Sequence, residues 1–524
     1  MNLPKLFEPS LRHRAHEIGL EFQGREFRFD ELNRRSNRIA RRLLAEGLVP
    51  GDRVAVYLKN CVELIEIFLA TVKAGFIFTP INILYREGEI EHIFADADPR
   101  VIFAHRESDE ILAPLVSMRI ARHPQLRHWR VEELIGNEAE EAKEAKEAKE
   151  IPSSQITSDT VAALVYTSGT TGRPKGAMLT HGNFVANAES LIAAWRMTTD
   201  DRLLLPLPLF HVHGLGNGLH TWLALGFQTR LLERFDKETF IEQLLDFKPT
   251  VFFGVPTMYV RLLETPPEIA RRIGQSMRLF VSGSAPLPAA ILEQFRGLFG
   301  HVILERYGMS ETLVNLSNPY DGERRPGSVG YPLPGVSACI CDPASERLLG
   351  DNEVGEVLVK GANVFSGYWR NPDATRESFT KEGDKDGTKA GDKEGGREGY
   401  FRTGDVGVRS SDGYYTLQGR LRELIISGGF NIYPREVEEF VMKLPGVAAA
   451  AVVGTADPVK GEVPVIFIVA DPQSPPDMAA IEAACRKGLA SFKVPKRFLL
   501  IDELPRNAMG KVQKNLLADR LRSQ

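Results

Sequence analysis

Residues 166–176 have the composition of a loop that grips a polyphosphate. They read Tyr-Thr-Ser-Gly-Thr-Thr-Gly-Arg-Pro-Lys-Gly and directly follow an apolar run, residues 161–165, that predicts a buried strand. Glycines allow a tight turn that brings backbone N–H groups against an anion, and the hydroxyl and ammonium groups add donors. The Gly-Lys-Ser/Thr sequence of the Walker loop is absent, so a P-loop NTPase is not expected. The alternative is a surface loop that is merely rich in turn residues.

Three further motifs carry polar groups in suggestive places. Residues 302–312 read Val-Ile-Leu-Glu-Arg-Tyr-Gly-Met-Ser-Glu-Thr, in which Tyr307 offers a ring face and Glu311 offers the hard carboxylate oxygen that Mg²⁺ prefers beside phosphate oxygens. Residues 400–405 end in Asp405, and residues 504–511 end in Lys511. Taken singly, these side chains could be an exposed acid, a turn aspartate and a solvated lysine near a chain end.

Together the four motifs resemble those of the adenylate-forming superfamily, which includes acyl- and aryl-CoA synthetases, luciferases and peptide-synthetase adenylation domains. The likeness covers nearly the whole chain. It implies an ATP- and acyl-binding adenylation domain over residues 1–420 and a small, mobile C-terminal domain over residues 421–524, with Arg422 at the hinge. It also implies that the chain uses ATP, Mg²⁺ and CoA to make an acyl-adenylate and then a thioester.

The resemblance implies a catalytic or binding role for each residue that matches a family motif. Lys511, His211, Thr167 and Glu311 are the implied catalytic residues, and Thr167 and Glu311 are also the implied Mg²⁺ ligands. His213, two residues after His211, is interpreted as structural. The residues implied in binding the nucleotide and CoA are Thr167, Ser168, Gly169, Thr170, Thr171, Gly172, Lys175, Gly283, Ser284, Ala285, Glu305, Arg306, Tyr307, Gly308, Met309, Ser310, Asp405, Arg420, Gly428, Gly429 and Lys511.

The small-molecule acid is predicted from charge and from a narrower likeness. A dicarboxylate needs a second cation in its pocket, because burying an unpaired carboxylate is costly, and an arginine suits it best. Arg306 and Arg261 are the two candidates, and either could instead be a solvated surface arginine. The middle third of the chain resembles malonyl-CoA synthetases, which favours malonate or methylmalonate bound by His211, Arg261, Arg306 and Met309.

Alternatives from other classes stay open. A ligase for a fatty or aryl monocarboxylate is the nearest one. A peptide-synthetase adenylation domain is disfavoured, because no aspartate follows Phe210 to pair with an amino group. A non-catalytic nucleotide-binding regulator is disfavoured by the presence of Lys511 and Glu311. The charged, low-complexity stretches 138–150 and 381–398 are assigned no function.

Bulk composition sets the remaining expectations. The 524 residues, 43% hydrophobic and 26% charged, suit a globular α/β protein with several large cores and parallel sheets covered by helices. A net charge of -4 gives no basic surface for nucleic acid. Four scattered cysteines fit a reducing compartment. With no membrane span in the sequence, a cytoplasmic protein is expected; an organellar location and the oligomeric state stay open.

Overall fold

The computed structural model describes residues 1–122, 125–134, 151, 155–167, 174–380, 399–427, 430–458, 460–507 and 510–522. These residues form three sheets with helices packed against them. The strands, in chain order, are β1 Ile18–Phe22, β2 Arg25–Arg28, β3 Arg53–Tyr57, β4 Ile77–Pro80, β5 Val101–Ala104, β6 Arg127–Arg130, β7 Val161–Thr167, β8 Lys175–Thr180, β9 Arg202–Leu205, β10 Gln228–Leu231, β11 Val251–Gly254, β12 Leu279–Ser282, β13 Leu304–Met309, β14 Leu313–Ser317, β15 Ser328–Pro332, β16 Val336–Cys341, β17 Val354–Gly361, β18 Phe401–Arg409, β19 Tyr415–Arg420, β20 Ile425–Ser427, β21 Phe430–Ile432, β22 Val447–Asp457, β23 Gly461–Ala470 and β24 Arg497–Ile501.

The α-helices cover both ends of the chain and the connections between strands. They are α1 Leu3–Leu6, α2 Phe29–Ala45, α3 Val62–Ala74, α4 Glu87–Ala97, α5 Asp109–Arg122, α6 His181–Ala194, α7 His220–Leu225, α8 Lys237–Phe247, α9 Pro256–Leu262, α10 Pro267–Ser276, α11 Ala289–Phe299, α12 Pro372–Glu377, α13 Pro434–Val441, α14 Met478–Gly488 and α15 Lys514–Arg522. A short π-helix, His213–Leu219, precedes α7. None of the described helices is long and apolar enough to span a bilayer.

The two sheets of the large domain bring the candidate site together. The largest sheet has the strand order β16-β17-β18-β19-β15-β14-β13-β12-β11-β9-β10-β1-β2, and a six-stranded sheet has the order β6-β5-β3-β4-β7-β8. The strands from β9 to β13 pair in parallel, as predicted, whereas β13 to β19 pair in antiparallel fashion. Strand β13 joins these two parts of the sheet, since Leu304 and Glu305 pair with β12 and the residues from Arg306 onward pair with β14.

The sequence of helix α3 accounts for its burial and for the residue at which it ends. Its residues are nearly all buried, so it is a core helix, and Gly75 ends it in the left-handed conformation with a φ of 75°. The sequence pattern from Val62 to Ala74 predicts an apolar-faced helix, and the helix in the structure has the same limits. The predicted strand over residues 161–165 is also present but continues to Thr167, which brings that hydroxyl to the sheet edge.

The small domain begins after β19, whose last residue is Arg420. A one-turn 3₁₀ helix, Leu421–Glu423, leads to β20 at Ile425 and to a separate sheet with the order β21-β20-β23-β22, with β24 beside β23. Helices α13 and α14 cover one face of this sheet, and α15 covers the other through Leu517 and Leu521. Arg422 is exposed within the connecting turn.

Candidate active site

The ends of the predicted phosphate loop are held next to the predicted metal ligand. Thr167 ends β7 and pairs with Lys175, which begins the antiparallel strand β8. The Thr167 hydroxyl donates to Glu311 Oε1 across 3.2 Å, although the two residues are 144 positions apart. The structure therefore places one end of the phosphate loop in direct contact with the Glu311 carboxylate.

Several predicted residues lie outside the described part of the chain. They are Ser168, Gly169, Thr170, Thr171 and Gly172 of the phosphate loop, and Gly428 and Gly429 of the predicted thiol tunnel. The two charged stretches, residues 138–150 and 381–398, also lie outside it.

Tyr368 is a site residue that the sequence interpretation missed. Its hydroxyl donates to Glu311 Oε1 across 3.1 Å, and Lys175 Nζ lies 5.1 Å from the centroid of its ring. His92 likewise supports the loop, since its Nε2 lies 2.7 Å from the carbonyl oxygen of Pro174. Neither residue stands in a recognisable motif, so nothing in the sequence indicated that they approach the loop.

The donor set around Glu311 suits Mg²⁺ better than a softer metal. Glu311 is buried, with 6% of its surface exposed, and offers carboxylate oxygens beside the Thr167 hydroxyl. Among the described residues no group of three or more His, Cys, Asp or Glu side chains could form a metal cage. Magnesium is commonly held by one or two carboxylates together with substrate phosphates and water, so the residues present fit this ion.

Arg306, one of the two arginines predicted to bind the acid, is buried and has no partner among the described residues. Arg306 is 5% exposed, and its Nε and Nη2 atoms make no hydrogen bond to any described residue. Burial lowers the pKa of Arg306 to about 9. The guanidinium packs against Gly283, where a Cβ would lie 2.4 Å from Arg306 Nε. Gly283 is therefore required for Arg306 to occupy this position.

Two neutral histidines lie beside this arginine. Desolvation, with a further contribution from the charge of Arg306, lowers the pKa of His211 to about 4. The backbone N–H of His213 donates to His211 Nδ1 across 3.2 Å. An N–H group can only donate, so the neutral His211 ring carries its proton on Nε2 and can donate one hydrogen bond from that atom. His211 is thus a neutral donor and not a second cation.

His213, which is interpreted as structural, is buried close to Ser284 and Arg306. It is 1% exposed, its Nδ1 lies 3.0 Å from the Ser284 hydroxyl, and its Nε2 has no partner among the described residues. Burial and the charges of Arg306 and His211 hold its pKa well below the usual range. Ser284 reaches it from a left-handed backbone conformation with a φ of 69°, which is uncommon for a residue with a side chain.

Strand β13 turns sharply where the predicted nucleotide residues lie. A Cβ on Gly308 would lie 1.8 Å from the carbonyl oxygen of Leu313, so only glycine fits between β13 and β14. Met309 and Ser310 follow, half-buried, at the end of this hairpin, and Ala285 is half-buried on the facing turn. These residues lie at or beyond the carboxyl ends of β12 and β13, where open α/β sheets bind ligands.

Tyr307, Asp405 and Arg420, all predicted to bind the nucleotide, contact one another. The Tyr307 hydroxyl donates to Asp405 Oδ2 across 2.5 Å, and Arg420 Nε lies 2.7 Å from Asp405 Oδ1. The charge of Asp405, against the effect of burial, raises the pKa of Arg420. Asp405 retains acceptor capacity, because each carboxylate oxygen has two lone pairs. The structure therefore permits the predicted contact of Asp405 with ribose hydroxyls and adds a link to Tyr307.

Glu305 supports the turn that carries Gly283 to Ala285. Its Oε1 accepts the backbone N–H of Leu287 across 3.0 Å, while Oε2 has no partner among the described residues. Burial raises the pKa of Glu305 to about 7. This geometry makes Glu305 a support of the predicted nucleotide pocket through the backbone of the turn.

The small domain brings Lys511 to the nucleotide side. A Cβ on Gly510 would lie 3.0 Å from the Thr257 side chain, so the loop before Lys511 lies close to the start of helix α9. Burial, together with the charge of Arg420, lowers the pKa of Lys511 to about 8, and the carboxylates of Asp405 and Glu423 oppose this shift. A lysine from the end of the chain thus lies among the groups expected to bind ATP.

Arg261, the other arginine predicted to bind the acid, lies on the surface of the structure. Its side chain is 54% exposed and pairs with Glu264 on the surface, with 3.3 Å between Nη1 and Oε1. Helix α9 buries Pro256, Met258, Tyr259 and Leu262, which leaves Arg261 on its exposed face. Of the two candidate arginines, only Arg306 is buried, and a role for either one in binding the acid stays a prediction.

Comparison with known proteins identifies the family. The AMP-binding enzyme family matches residues 7–369, and the AMP-binding enzyme C-terminal domain matches residues 436–511. The chain belongs to the AMP-binding enzyme family. This confirms the predicted superfamily, the α/β class with a small second domain, and the class of enzyme, an AMP-forming acid–thiol ligase.

Curated relatives and solved structures cover nearly the whole of this family member. It is 31% identical to a malonate–CoA ligase from Arabidopsis thaliana over 97% of this chain and 86% of the relative. It is 34% identical to a feruloyl-CoA synthase of Amycolatopsis sp over 96% of each chain. The ATP-bound structure of MatB from Rhodopseudomonas palustris, 37% identical, superimposes over 99% of both chains with a TM-score of 0.89. The apo form of MatB gives a TM-score of 0.79, so the arrangement described here is nearer to the ATP-bound form.

Proposed function

We propose that this protein is a malonate–CoA ligase, which converts malonate, ATP and CoA into malonyl-CoA, AMP and pyrophosphate. Methylmalonate is the expected second substrate, since it adds one methyl group and keeps both carboxylates. The likeness to a malonate–CoA ligase supports the proposal. The observation that carries it is the buried Arg306 guanidinium, with Nε and Nη2 unpartnered among the described residues.

The unpaired guanidinium favours a substrate with a second negative charge. A buried charge is costly unless it is paired and hydrogen-bonded, and a planar guanidinium matches the two oxygens of a carboxylate. Malonate supplies a carboxylate for Arg306 and retains another for reaction with ATP. A monocarboxylate would have to leave either Arg306 or the reacting position without an anion.

In the first step, one carboxylate of malonate attacks the α-phosphorus of ATP, and pyrophosphate leaves. Lys511 holds its positive charge against the phosphoryl oxygens, and Lys175 and the backbone of the phosphate loop hold the triphosphate. Glu311 and Thr167 would hold Mg²⁺, which neutralises charge on the phosphate oxygens when bound. Stabilisation of this kind acts mainly through positioning and electrostatics.

In the second step, the CoA thiol attacks the carbonyl carbon of malonyl-adenylate. A carbon–sulfur bond forms, the bond to the AMP oxygen breaks, and AMP leaves. No nucleophile of the protein is required. Rotation of the small domain about residues 421–422 would withdraw Lys511 and bring the segment around residues 428–429 to the site, as the family resemblance implies.

A substrate panel tests the proposal. Pyrophosphate release by the wild-type enzyme is measured with malonate, methylmalonate, propionate and ferulate, each with ATP, Mg²⁺ and CoA. We expect kcat/KM to be highest for malonate and lower for propionate by roughly 10²-fold or more, because propionate leaves Arg306 unpaired. A higher kcat/KM for propionate or ferulate would overturn the malonate assignment and favour the monocarboxylate alternative, which the feruloyl-CoA synthase likeness represents.

A further inference from the structure

An ion-pair cluster connects the hinge segment to the part of the chain that carries Lys511. Lys514 Nζ lies 3.2 Å from Glu423 Oε2 and 2.7 Å from Glu438 Oε1. All three side chains are largely buried, with 17%, 23% and 13% of their side-chain surface exposed. Glu438 Oε1 also accepts the backbone N–H of Val452 across 2.7 Å, which fixes it to the sheet of the small domain.

Each acid in the cluster comes from a different element. Glu423 ends the 3₁₀ turn that follows Arg420, the last residue of the large-domain sheet, and Glu438 lies on helix α13. Lys514 is the first residue of α15 and stands three residues after Lys511. Glu423 is therefore bound to the small domain, whereas Arg420 is bound to Asp405 of the large domain. Residues 421–422 are the only chain between these two attachments.

Glu423 lies near two lysines at once. Burial opposes ionisation of its carboxyl, but the charge and hydrogen bond of Lys514, with the charge of Lys511, lower its pKa overall. Burial also disfavours the charge on Lys514, and the two glutamates more than offset this and raise its pKa. Without Lys514, Glu423 would be an unpaired buried carboxylate whose nearest remaining cations include Lys511.

The loop before α15 gives Lys511 a defined place relative to Lys514. The backbone N–H of Gln513 donates to the Pro505 carbonyl oxygen across 2.8 Å, and that of Lys511 donates to Asn507 Oδ1 across 2.9 Å. Leu517 and Leu521 then fix α15 to the small-domain sheet. A displacement of Lys514 would therefore be passed along a short, hydrogen-bonded segment to Lys511.

We propose that Lys514 is a positioning residue for adenylate formation, which occupies Glu423 and Glu438 so that the Lys511 ammonium stays free for the triphosphate. The inference rests on the proposed function, because it takes Lys511 to act on ATP. It assigns Lys514 no contact with substrate. It places the effect on the first half-reaction, since the second half-reaction proceeds after Lys511 has been withdrawn.

The test separates the two half-reactions in the full-length enzyme. Adenylate formation is followed by malonate-dependent ATP–pyrophosphate exchange, and thioester formation is followed from synthetic malonyl-adenylate and CoA. Lys514→Met is expected to slow exchange by roughly 10–100-fold, as misplacement of a catalytic group does, and to leave the thioester step within about twofold. Lys514→Arg, and Lys514→Met combined with Glu423→Gln, are expected to recover most of the exchange rate.

A matched control is Arg486→Met, which removes an exposed ion pair with Glu482 in the same domain and is expected to change neither half-reaction. Normal exchange in Lys514→Met, or equal loss of both half-reactions with no recovery in the double variant, would overturn the inference. If Lys514→Met does not fold, the inference is tested with the double variant, which lacks one of the two carboxylates that Lys514 pairs with. The double variant must then show exchange close to that of the wild type. Absence of malonate-dependent exchange in the wild-type enzyme would instead refute the proposed function.

Discussion

The two sides of the candidate site differ in whether their buried cations are paired with carboxylates of the described residues. On the acid side, Arg306 is buried against Gly283 beside neutral histidines, and no described carboxylate pairs with it. On the nucleotide side, Arg420 pairs with Asp405, and Lys514 pairs with Glu423 and Glu438. Within the described ranges, the first region offers Arg306 no anion, whereas the second has internal partners for Arg420 and Lys514.

This difference suggests that the acid side selects the substrate, whereas the nucleotide side positions the neighbouring groups. A cation without a protein partner gains most from a ligand that carries an anion, so the acid side discriminates between substrates by charge. Cations that already have partners gain less from a ligand and instead fix the geometry of neighbouring groups, such as Tyr307 and Lys511. The contrast can be tested by removing charge from each side in turn.

The largest effect is expected from Arg306→Leu. Removing one partner of a buried ion pair typically costs about 3–5 kcal/mol, so kcat/KM for malonate should fall by roughly 10²–10³-fold or more. The rate with propionate should stay the same or rise, because an apolar side chain no longer leaves a buried charge unpaired. Pyrophosphate release with the two acids measures this. Equal loss with both acids would remove the distinction between the two sides of the site.

Lys511→Met should have the next largest effect, and it should lower the rate of adenylate formation without changing the preference between acids. Loss of one preorganised charge at a developing phosphoryl charge typically costs about 10²–10³ in rate. Malonate and propionate should be affected alike, because Lys511 acts on the nucleotide. The measurement is ATP–pyrophosphate exchange with each acid. A loss confined to malonate would show that Lys511 belongs to the acid side.

The pH dependence of kcat/KM for ATP should reflect the protonation of Lys511. Burial and Arg420 lower its pKa to about 8, so the ammonium form is present below that pH and is lost above it. The value of kcat/KM for ATP, which reports the free enzyme, should therefore fall about tenfold per pH unit above roughly pH 8. Bound ATP favours the ammonium, so the corresponding limb of kcat should lie at higher pH. The Lys511→Arg variant should not show this fall in kcat/KM above roughly pH 8. If the fall persists in that variant, a group other than Lys511 causes it.

The smallest effect is expected from Arg261→Leu, the matched control for Arg306→Leu. Arg261 is 54% exposed and pairs only with Glu264 among the described residues. Exposed pairs of this kind contribute about 0–1 kcal/mol, so kcat/KM for malonate should change by less than about threefold. A loss comparable to that of Arg306→Leu would place Arg261 in the pocket after all.

The sequence predicts local features well and long-range contacts poorly. Helix α3 could be predicted because its apolar residues form one face of a helix over Val62–Ala74. The choice between Arg261 and Arg306 could not be made, since both arginines adjoin apolar runs. Only the rotation of α9 and the path of β13 decide which side chain is buried. The contacts of Glu311 with Thr167 and Tyr368 join distant segments and follow from the packing of two sheets.

The resemblance to a known family supplied most of the candidate site, but it did not supply the supporting residues. His213 was interpreted as structural, and its buried Nε2 has no partner among the described residues. Lys514 stands outside the motif that ends at Lys511, and its partners lie on two other elements. Such roles depend on which charges meet in three dimensions, which neither spacing nor composition records.

A crystal structure of the enzyme with malonate and a non-hydrolysable ATP analogue tests the central claim most directly. We predict that one carboxylate of malonate lies about 3 Å from Nε and Nη2 of Arg306, while the other points toward the α-phosphate. A malonate bound with both carboxylates away from Arg306, or an Arg306 guanidinium paired with the triphosphate, would contradict the account.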